Sequence, residues 1–414
     1  MSERQPFPDG GRPVDELLEQ LRTGRDGDAD WRGGRTFSLV YNPADEDLER
    51  LHQGVALEYL HENYLNPFAF PSLLRMEQEV VAMAADLLGD PEAVGKLTSG
   101  GTESIFLAVQ TAREQAREER GIAEPQLVTG STAHPAFAKA AHYLDVEHVI
   151  VPVRDDGRLH PDDAADALGD RAALLVGSAP CYPFGVIDPI PELAALAADR
   201  GLLCHVDACL GGWLLPFWAR LGEPVPPWDL SVPGVTSLSA DVHKYGWSFK
   251  GVSLLLHRDP AQLRRQYFLY DSWPGGLYGS ATTAGTRPAA PIAAAWATIR
   301  HLGAEGYLRL AGAVRDATRT FRAGIEAIEG LHITGDPVLG VMEIASDGLD
   351  LSAVGDVMDD RGWHLDRQQG GLHLMLSPGH VAVADRFLAD LADAVREHGP
   401  SRGVEARYGG VAER

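Results

Sequence analysis

The sequence predicts an α/β protein with a central, mostly parallel β-sheet and a smaller C-terminal α+β domain. Two observations predict it. Between residues 95 and 260 the β-prone runs HVIVPV, ALLVGS, LLCHV and VTSLS alternate with amphipathic helical stretches such as PELAALAADRG. Strands spaced by helices are the pattern of a parallel sheet with crossover connections. Past about residue 310 the pattern becomes a long helix, a strand near Val341 to Ala345, a helix near Leu351 to Asp360, the strand GLHLMLS and a final helix. Three parts are therefore expected: an N-terminal segment over 1–90, a large domain over 91–310 and a small domain over 311–414.

Composition narrows the class. A chain of 414 residues with 45% hydrophobic content can bury a large core and form more than one domain. Acidic residues outnumber basic ones by 59 to 36, a net charge of -23, which disfavours nucleic acid and anionic membrane surfaces as partners. The three cysteines, Cys181, Cys204 and Cys209, have neither zinc-ligand spacing nor a disulfide framework. No metal is expected, and a reducing, cytoplasmic setting is. The opening MSERQPFPDGGRPVDE has no apolar signal core, and no stretch reaches the ~18 apolar residues of a membrane span. Residues 1 to 13 and roughly 400 to 414 are polar or glycine-rich, so they are expected to be loosely held and dispensable for function.

The chemistry lies in the large domain. Ser99, Gly100, Gly101, Thr102, Glu103 and Ser104 precede IFLAVQTAREQAR, whose apolar residues recur at helical spacing. This is a helix start with exposed backbone N–H groups. Glycine lets the backbone approach a phosphate, Thr102 adds a hydroxyl, and the helix dipole contributes ~0.3–1 kcal/mol. Taken alone, an ordinary N-cap would look the same. His134, in STAHPAFAKAAHYL, sits between a short β-like segment and a helix begun by Pro135, where an imidazole can either stack on a ring or cap a helix. The chain has 15 histidines, and nearby His142 and His148 are assigned to ordinary packing.

Asp207 closes the β-like run Leu202 to Val206, where a carboxylate needs a cation, either a protonated pyridinium or an arginine. Lys244 follows the β-prone Val235 to Leu238 and precedes Val252 to Leu256, so its amine is expected to emerge from a strand end into a cleft. A lysine for a Schiff base, a carboxylate for a pyridine nitrogen and a pocket of phosphate donors are the three requirements of pyridoxal 5'-phosphate. His243 stands next to the lysine, within reach of the cofactor phosphate.

The segments TSGGTESI, AHPAFAKAAHYL, YPFGVIDPIPELA, HVDACLGG, VTSLSADVHKYG and AGTRP, in this order, resemble the sphingosine phosphate lyase branch of the pyridoxal-phosphate-dependent decarboxylase family. The resemblance covers most of residues 35 to 310. It implies the aspartate-aminotransferase-type fold (fold type I), with a Schiff base on Lys244, Asp207 at the pyridinium and His134 stacked on the ring. It also implies that Gly101, Thr102, His243 and Ser178 hold the cofactor phosphate. Cys209 would lie against the ring face opposite His134, in a packing role. Family members are homodimers whose sites are completed across the interface, which implies dimer contacts from 1–90 and from the loop Leu277 to Arg287. Eukaryotic lyases of the family carry a membrane segment, which is not expected here.

The same resemblance carries a substrate subsite. Tyr41 in SLVY, Asn66 in LNP, Tyr182 in CYPFG, Lys250 six residues past Lys244, and Thr286 in AGTRP match family positions around the substrate phosphate, with Thr286 supplied by the partner subunit. Lys250 offers a point charge, and either tyrosine can bind through its hydroxyl or transfer a proton. Core packing is the alternative for the tyrosines. The chain also departs from the family. Where the lyases read NP-L-H-x-D before the next helix, it reads NPFAFPSLLRMEQEV, three residues shorter and without the histidine, and YPHG is here YPFG. One lost charge-assisted hydrogen bond weakens anion binding by ~1.5–3 kcal/mol. Phe68, Phe70 and Phe184 would make the entrance more aromatic, or simply fill the space.

The expectation is a carbon-carbon lyase acting on a small-molecule amine by retro-aldol cleavage of a phosphorylated β-hydroxy amine. The alternative is an amino acid decarboxylase in which Lys250 or an arginine such as Arg287 binds the carboxylate. A catalytically degenerate, cofactor-binding regulatory protein is a third class, which the intact Lys244, Asp207 and His134 argue against.

Overall fold

The computed structural model describes residues 6–403 and 406, so part of each loosely held end expected above lies outside the described residues. Three helices, α1 (Val14–Thr23), α2 (Glu46–Glu58) and α3 (Pro71–Leu87), precede the main sheet. The Asp45 side chain caps α2 by accepting from the Leu48 amide, and α3 starts with proline at its first position, where no amide partner is lost.

The main sheet has seven strands: β1 (Val94–Thr98), β2 (Gln126–Gly130), β3 (Glu147–Val151), β4 (Ala172–Ser178), β5 (Leu203–Asp207), β6 (Ser237–Ala240) and β7 (Ser253–His257). Their order is β1-β7-β6-β5-β4-β2-β3. The strands from β6 to β3 are all parallel to their neighbours, while β7 runs antiparallel to both β6 and β1. Helices α4 (Gly101–Arg120), α5 (Ala136–Leu144), α6 (Pro161–Ala167), α7 (Ile190–Asp199) and α8 (Leu215–Arg220) connect them. All residues of β4 to β7 are buried, which explains why these strands read as apolar runs rather than alternating ones.

After β7 come α9 (Pro260–Gln266), the two-stranded ribbon of β8 (Phe268–Tyr270) and β9 (Tyr278–Ser280), and the long α10 (Ala289–Glu326). Residue 310, the expected boundary, lies within α10, which breaks only at Gly303 with φ +53°. A second, antiparallel sheet then forms from β10 (His332–Ile333), β11 (Val341–Ala345), β12 (Asp366–Arg367) and β13 (Leu372–Met375), in the order β10-β11-β13-β12. Helices α11 (Leu351–Asp360) and α12 (Ala384–Glu397) pack with it around Phe321, Met342, Ile344, Trp363 and Phe387. Phe37, from the N-terminal segment, is fully buried in the same core. The fold is of the expected class. It brings the carboxyl ends of β4, β5 and β6 together, where ligands of open α/β sheets bind.

Candidate active site

The glycine-rich segment forms the first turn of α4, with Gly100 at the N-cap. Its early amides have no partner four residues back and point outward. A Cβ on Gly101 would lie 2.8 Å from Cys209 Sγ and 2.9 Å from the Asp241 carboxylate, so only glycine fits there. The resulting cavity, about 380 Å³, is lined by Ser99 to Glu103, His134, Cys209, Asp241, His243 and Lys244.

Lys244 lies in the turn between β6 and β7, with its side chain 17% exposed and its Nζ 2.8 Å from Asp241 Oδ2. Burial acts to lower the lysine pKa, but the Asp241 carboxylate outweighs it and holds the amine well above its usual value. Asp241 is correspondingly held below the usual carboxylate range despite its burial. Its Oδ1 is buried without a hydrogen-bond partner and faces the cavity side of Gly101.

Asp207 pairs in register with Ser178 on one side and Ser239 on the other. Its Oδ1 accepts from the Cys209 amide at 3.1 Å and from Ser239 Oγ at 3.3 Å. Ser239 Oγ in turn lies 3.2 Å from the fully buried His205, whose other ring nitrogen meets Ser237 Oγ at 2.9 Å. Among the described residues no lysine or arginine forms an ion pair with Asp207, so the arginine alternative is not realised. A smaller recess joins Asp207 to His134, Ser178, Tyr182, Cys209 and Lys244. Burial lowers the His134 pKa, which favours a neutral ring, and its Nδ1 accepts from the Ala136 amide at 3.1 Å. Burial also pushes the Cys209 thiol far up, in keeping with packing rather than reactivity.

These features fit pyridoxal phosphate. The open first turn of α4 and the Gly101 contact suit a phosphate, Asp207 offers a carboxylate without a basic partner, and Lys244 stands between them. Ser178 is placed differently from expectation: it lies in the recess beside Asp207 and does not line the glycine cup.

A second cavity, about 570 Å³, adjoins this one through His243 and is lined by Trp31, Tyr41, Leu48, His52, Trp247, Phe249 and Lys250 among others. Lys250 Nζ lies 4.8 Å from the centre of the Tyr41 ring and 3.4 Å from the His243 carbonyl. Although part of the side chain reaches solvent, the surrounding protein lowers its pKa to about 8, with the Lys244 charge adding to the effect. The Tyr41 hydroxyl donates to Met375 Sδ at 3.3 Å, and the Tyr182 hydroxyl donates to Asp366 at 2.8 Å.

Several expected site residues stay apart in the single chain. Asn66 is exposed, its Oδ1 accepting from the Phe68 amide at 2.9 Å in an Asx turn, and Thr286 is exposed. Neither lines the cavities described. Phe68 is 91% exposed and Phe184 packs over Gly157, and neither ring lines the cavities described in the single chain. Arg287 is also committed elsewhere: it donates to the buried Glu77 at 3.1 Å and to the Leu97 carbonyl at 2.7 Å. The loop around Thr286 is instead anchored through Thr283, whose amide and hydroxyl both donate to Glu103. The other Glu103 oxygen accepts from the Ser99 amide at 2.6 Å, so one carboxylate ties the loop to the glycine cup.

Comparison with known proteins gives a consistent picture. Residues 40–343 match the pyridoxal-dependent decarboxylase conserved domain. The chain is 39% identical to a sphingosine-1-phosphate lyase of Arabidopsis thaliana over 92% of its own length and 72% of the relative's. It is similar in structure to a sphingosine-1-phosphate lyase of Burkholderia pseudomallei, with a TM-score of 0.92 and 39% identity over 95% of this chain and 93% of the other. A probable L-aspartate decarboxylase of Thermococcus gammatolerans is 31% identical over 94% of this chain and all of its own length.

Proposed function

The chain belongs to the pyridoxal-dependent decarboxylase family, and from that premise we propose that it cleaves a phosphorylated β-hydroxy amine of the sphingoid-base class by retro-aldol chemistry. It is a pyridoxal-phosphate-dependent lyase. When bound, the cofactor withdraws electrons from a substrate carbon linked to it through nitrogen. The Gly101 and Thr102 amides, with His243, would hold its phosphate. Asp207 would keep the ring nitrogen protonated, His134 and Cys209 would flank the ring, and Lys244 would carry the cofactor and move a proton at the amine-bearing carbon.

The observation that carries the reading is Lys250. It is an ammonium beside the Tyr41 ring, with no carboxylate within ion-pair distance among the described residues, in a recess that adjoins the cofactor cavity through His243. A cation left unpaired in so acidic a chain suits an anionic group on the substrate. Decarboxylation of an amino acid is the second reading, since Lys250 can also meet a carboxylate. With Arg287 committed to Glu77, that reading rests on Lys250 alone.

We further infer a homodimer. Phe268, Leu269, Trp273 and Leu277 on the ribbon, with Leu65 and Phe68 nearby in sequence to Asn66, are exposed apolar residues that a second copy can cover. Asn66 and Thr286 would then serve the partner's site. No helix among the described residues is long and apolar enough to cross a membrane, and the three free cysteines suit a reducing cytoplasm.

The reading is tested by comparing turnover of a sphingoid base with that of its phosphate. Selective cleavage of the phosphorylated form is expected, and equal use of both would reject the anion subsite.

A further inference from the structure

The turn that carries Tyr182 is held from outside the large sheet. Asp366 on β12 and His373 on β13 are direct cross-strand partners in the small antiparallel sheet, so both side chains leave it on one face. They grip Tyr182 at its two ends. Asp366 Oδ2 accepts the phenolic hydrogen at 2.8 Å, and His373 Nε2 lies 2.8 Å from the Tyr182 carbonyl oxygen. The two rings also stack, with centroids 4.1 Å apart. A carbonyl cannot donate, so Nε2 carries the imidazole proton, and burial lowers the His373 pKa to about 4, keeping the ring neutral. The adjacent backbone is fixed too: Gln368 donates to the Pro183 carbonyl at 3.2 Å, and the Val338 amide donates to the Gly185 carbonyl at 3.0 Å. Tyr182 faces the recess shared with Lys244, Asp207 and His134.

The geometry points to Asp366 as the proton acceptor behind Tyr182, so that the pair acts as the base for the substrate hydroxyl. This rests on the proposed retro-aldol reading. A phenol alone is a poor base near neutral pH, because its conjugate acid is far too strong, but a phenol whose own hydrogen is held by a carboxylate can accept one proton while passing on another. The substrate O–H bond breaks and its proton goes to Tyr182 Oη. The Tyr182 proton moves to Asp366 Oδ2. The substrate C–O bond becomes the aldehyde carbonyl, and the adjacent C–C bond breaks with its electron pair remaining on the amine-bearing carbon, which then takes a proton from Lys244. Asp366 is half-buried and can return its proton to solvent. In this account Tyr182 is the catalytic residue, while Asp366 and His373 are positioning residues.

The test separates cleavage from the rest of the cofactor chemistry. The holoenzyme and its Asp366→Asn, Asp366→Glu and Tyr182→Phe variants are assayed for aldehyde release from a sphingoid base phosphate. The same proteins are incubated with the amine product, phosphoethanolamine, in deuterated water, and exchange of the hydrogens beside nitrogen is followed by NMR. Asp366→Asn and Tyr182→Phe should each lower kcat for cleavage by roughly 10²-fold or more, with little change in KM. Their combination should be no worse than either alone, and Asp366→Glu should recover much of the rate. Exchange, which needs Lys244 but no hydroxyl base, should persist in all of them. Full cleavage by Asp366→Asn, or loss of exchange together with cleavage, would overturn the relay. A parent enzyme that exchanges phosphoethanolamine but cleaves nothing would overturn the retro-aldol reading itself, an outcome distinct from failure of the relay alone.

Discussion

Lys244 and Asp241, three residues apart in the turn between β6 and β7, form a 2.8 Å ion pair within the cavity proposed for the cofactor. The lysine must lose a proton before it can react with an aldehyde, and the carboxylate opposes that loss. Asp241 is therefore expected to set the pH at which the protein takes up its cofactor.

Replacing Asp241 with asparagine removes the attraction that keeps the Lys244 pKa up, leaving burial, which lowers it. The amine is then available at lower pH. Mixing cofactor-free protein with pyridoxal phosphate and following the visible absorbance should show loading shifted to lower pH, roughly tenfold faster at a given acidic pH for each unit by which the lysine pKa falls. An unchanged or higher pH requirement would remove Asp241 from this role.

Gly101→Ala should strain the turn and weaken the cofactor. The added methyl meets Cys209 Sγ at 2.8 Å and the Asp241 carboxylate at 2.9 Å, at the floor of the cup. Relieving such a clash by moving Cys209 and Asp241 costs about 1–3 kcal/mol of stability, so the variant should unfold at lower denaturant and its Kd for pyridoxal phosphate should rise. Equal affinity would show that phosphate does not sit on this turn.

Much of this site was legible because its parts are local. The glycine turn, His134, Asp207 and Lys244 each sit at a strand end or helix start, and the alternation of apolar runs places those ends together. Asp241 was overlooked although a signal existed: an acid three residues before the lysine, directly after an apolar strand. Glu103 reads as an ordinary helix cap, and its grip on Thr283 depends on packing between segments far apart in the chain. Asp366 and His373 could not be found by motif, since only the pairing of β12 with β13 aims them at Tyr182. Ser178, expected at the phosphate, lines the recess beside Asp207, where register with β5 fixes it. Asn66 and Thr286 remain exposed in one chain, where sequence spacing cannot say what they face.

Glu103→Gln should reveal how far that carboxylate holds the site together. Burial works to raise its pKa, but hydrogen bonds from Ser99 and Thr283 outweigh it, and the net shift is downward. Its contribution is thus present above the usual glutamate range and is lost as pH falls through the lowered value. Denaturant titrations should show a loss of about 1–3 kcal/mol at neutral pH and a smaller difference from the parent in acid. A difference that does not shrink at low pH would contradict an ionised Glu103 clasp.

Lys250→Met should raise KM for a phosphorylated substrate by about tenfold to a hundredfold, the worth of one charge-assisted hydrogen bond. In the parent, the ammonium is lost as pH rises through about 8, so affinity for the anion should fall above that pH and the variant should lack this limb. Measuring KM against pH for both proteins checks the sign. The same limb in both would place the phosphate elsewhere.

The most direct test of the central claim is to incubate the pyridoxal-phosphate-loaded protein with a sphingoid base phosphate and, separately, with a panel of amino acids, quantifying products by mass spectrometry. A long-chain aldehyde and phosphoethanolamine released in equal amounts is the predicted result. Carbon dioxide from an amino acid, with no aldehyde from the sphingoid base phosphate, would contradict it.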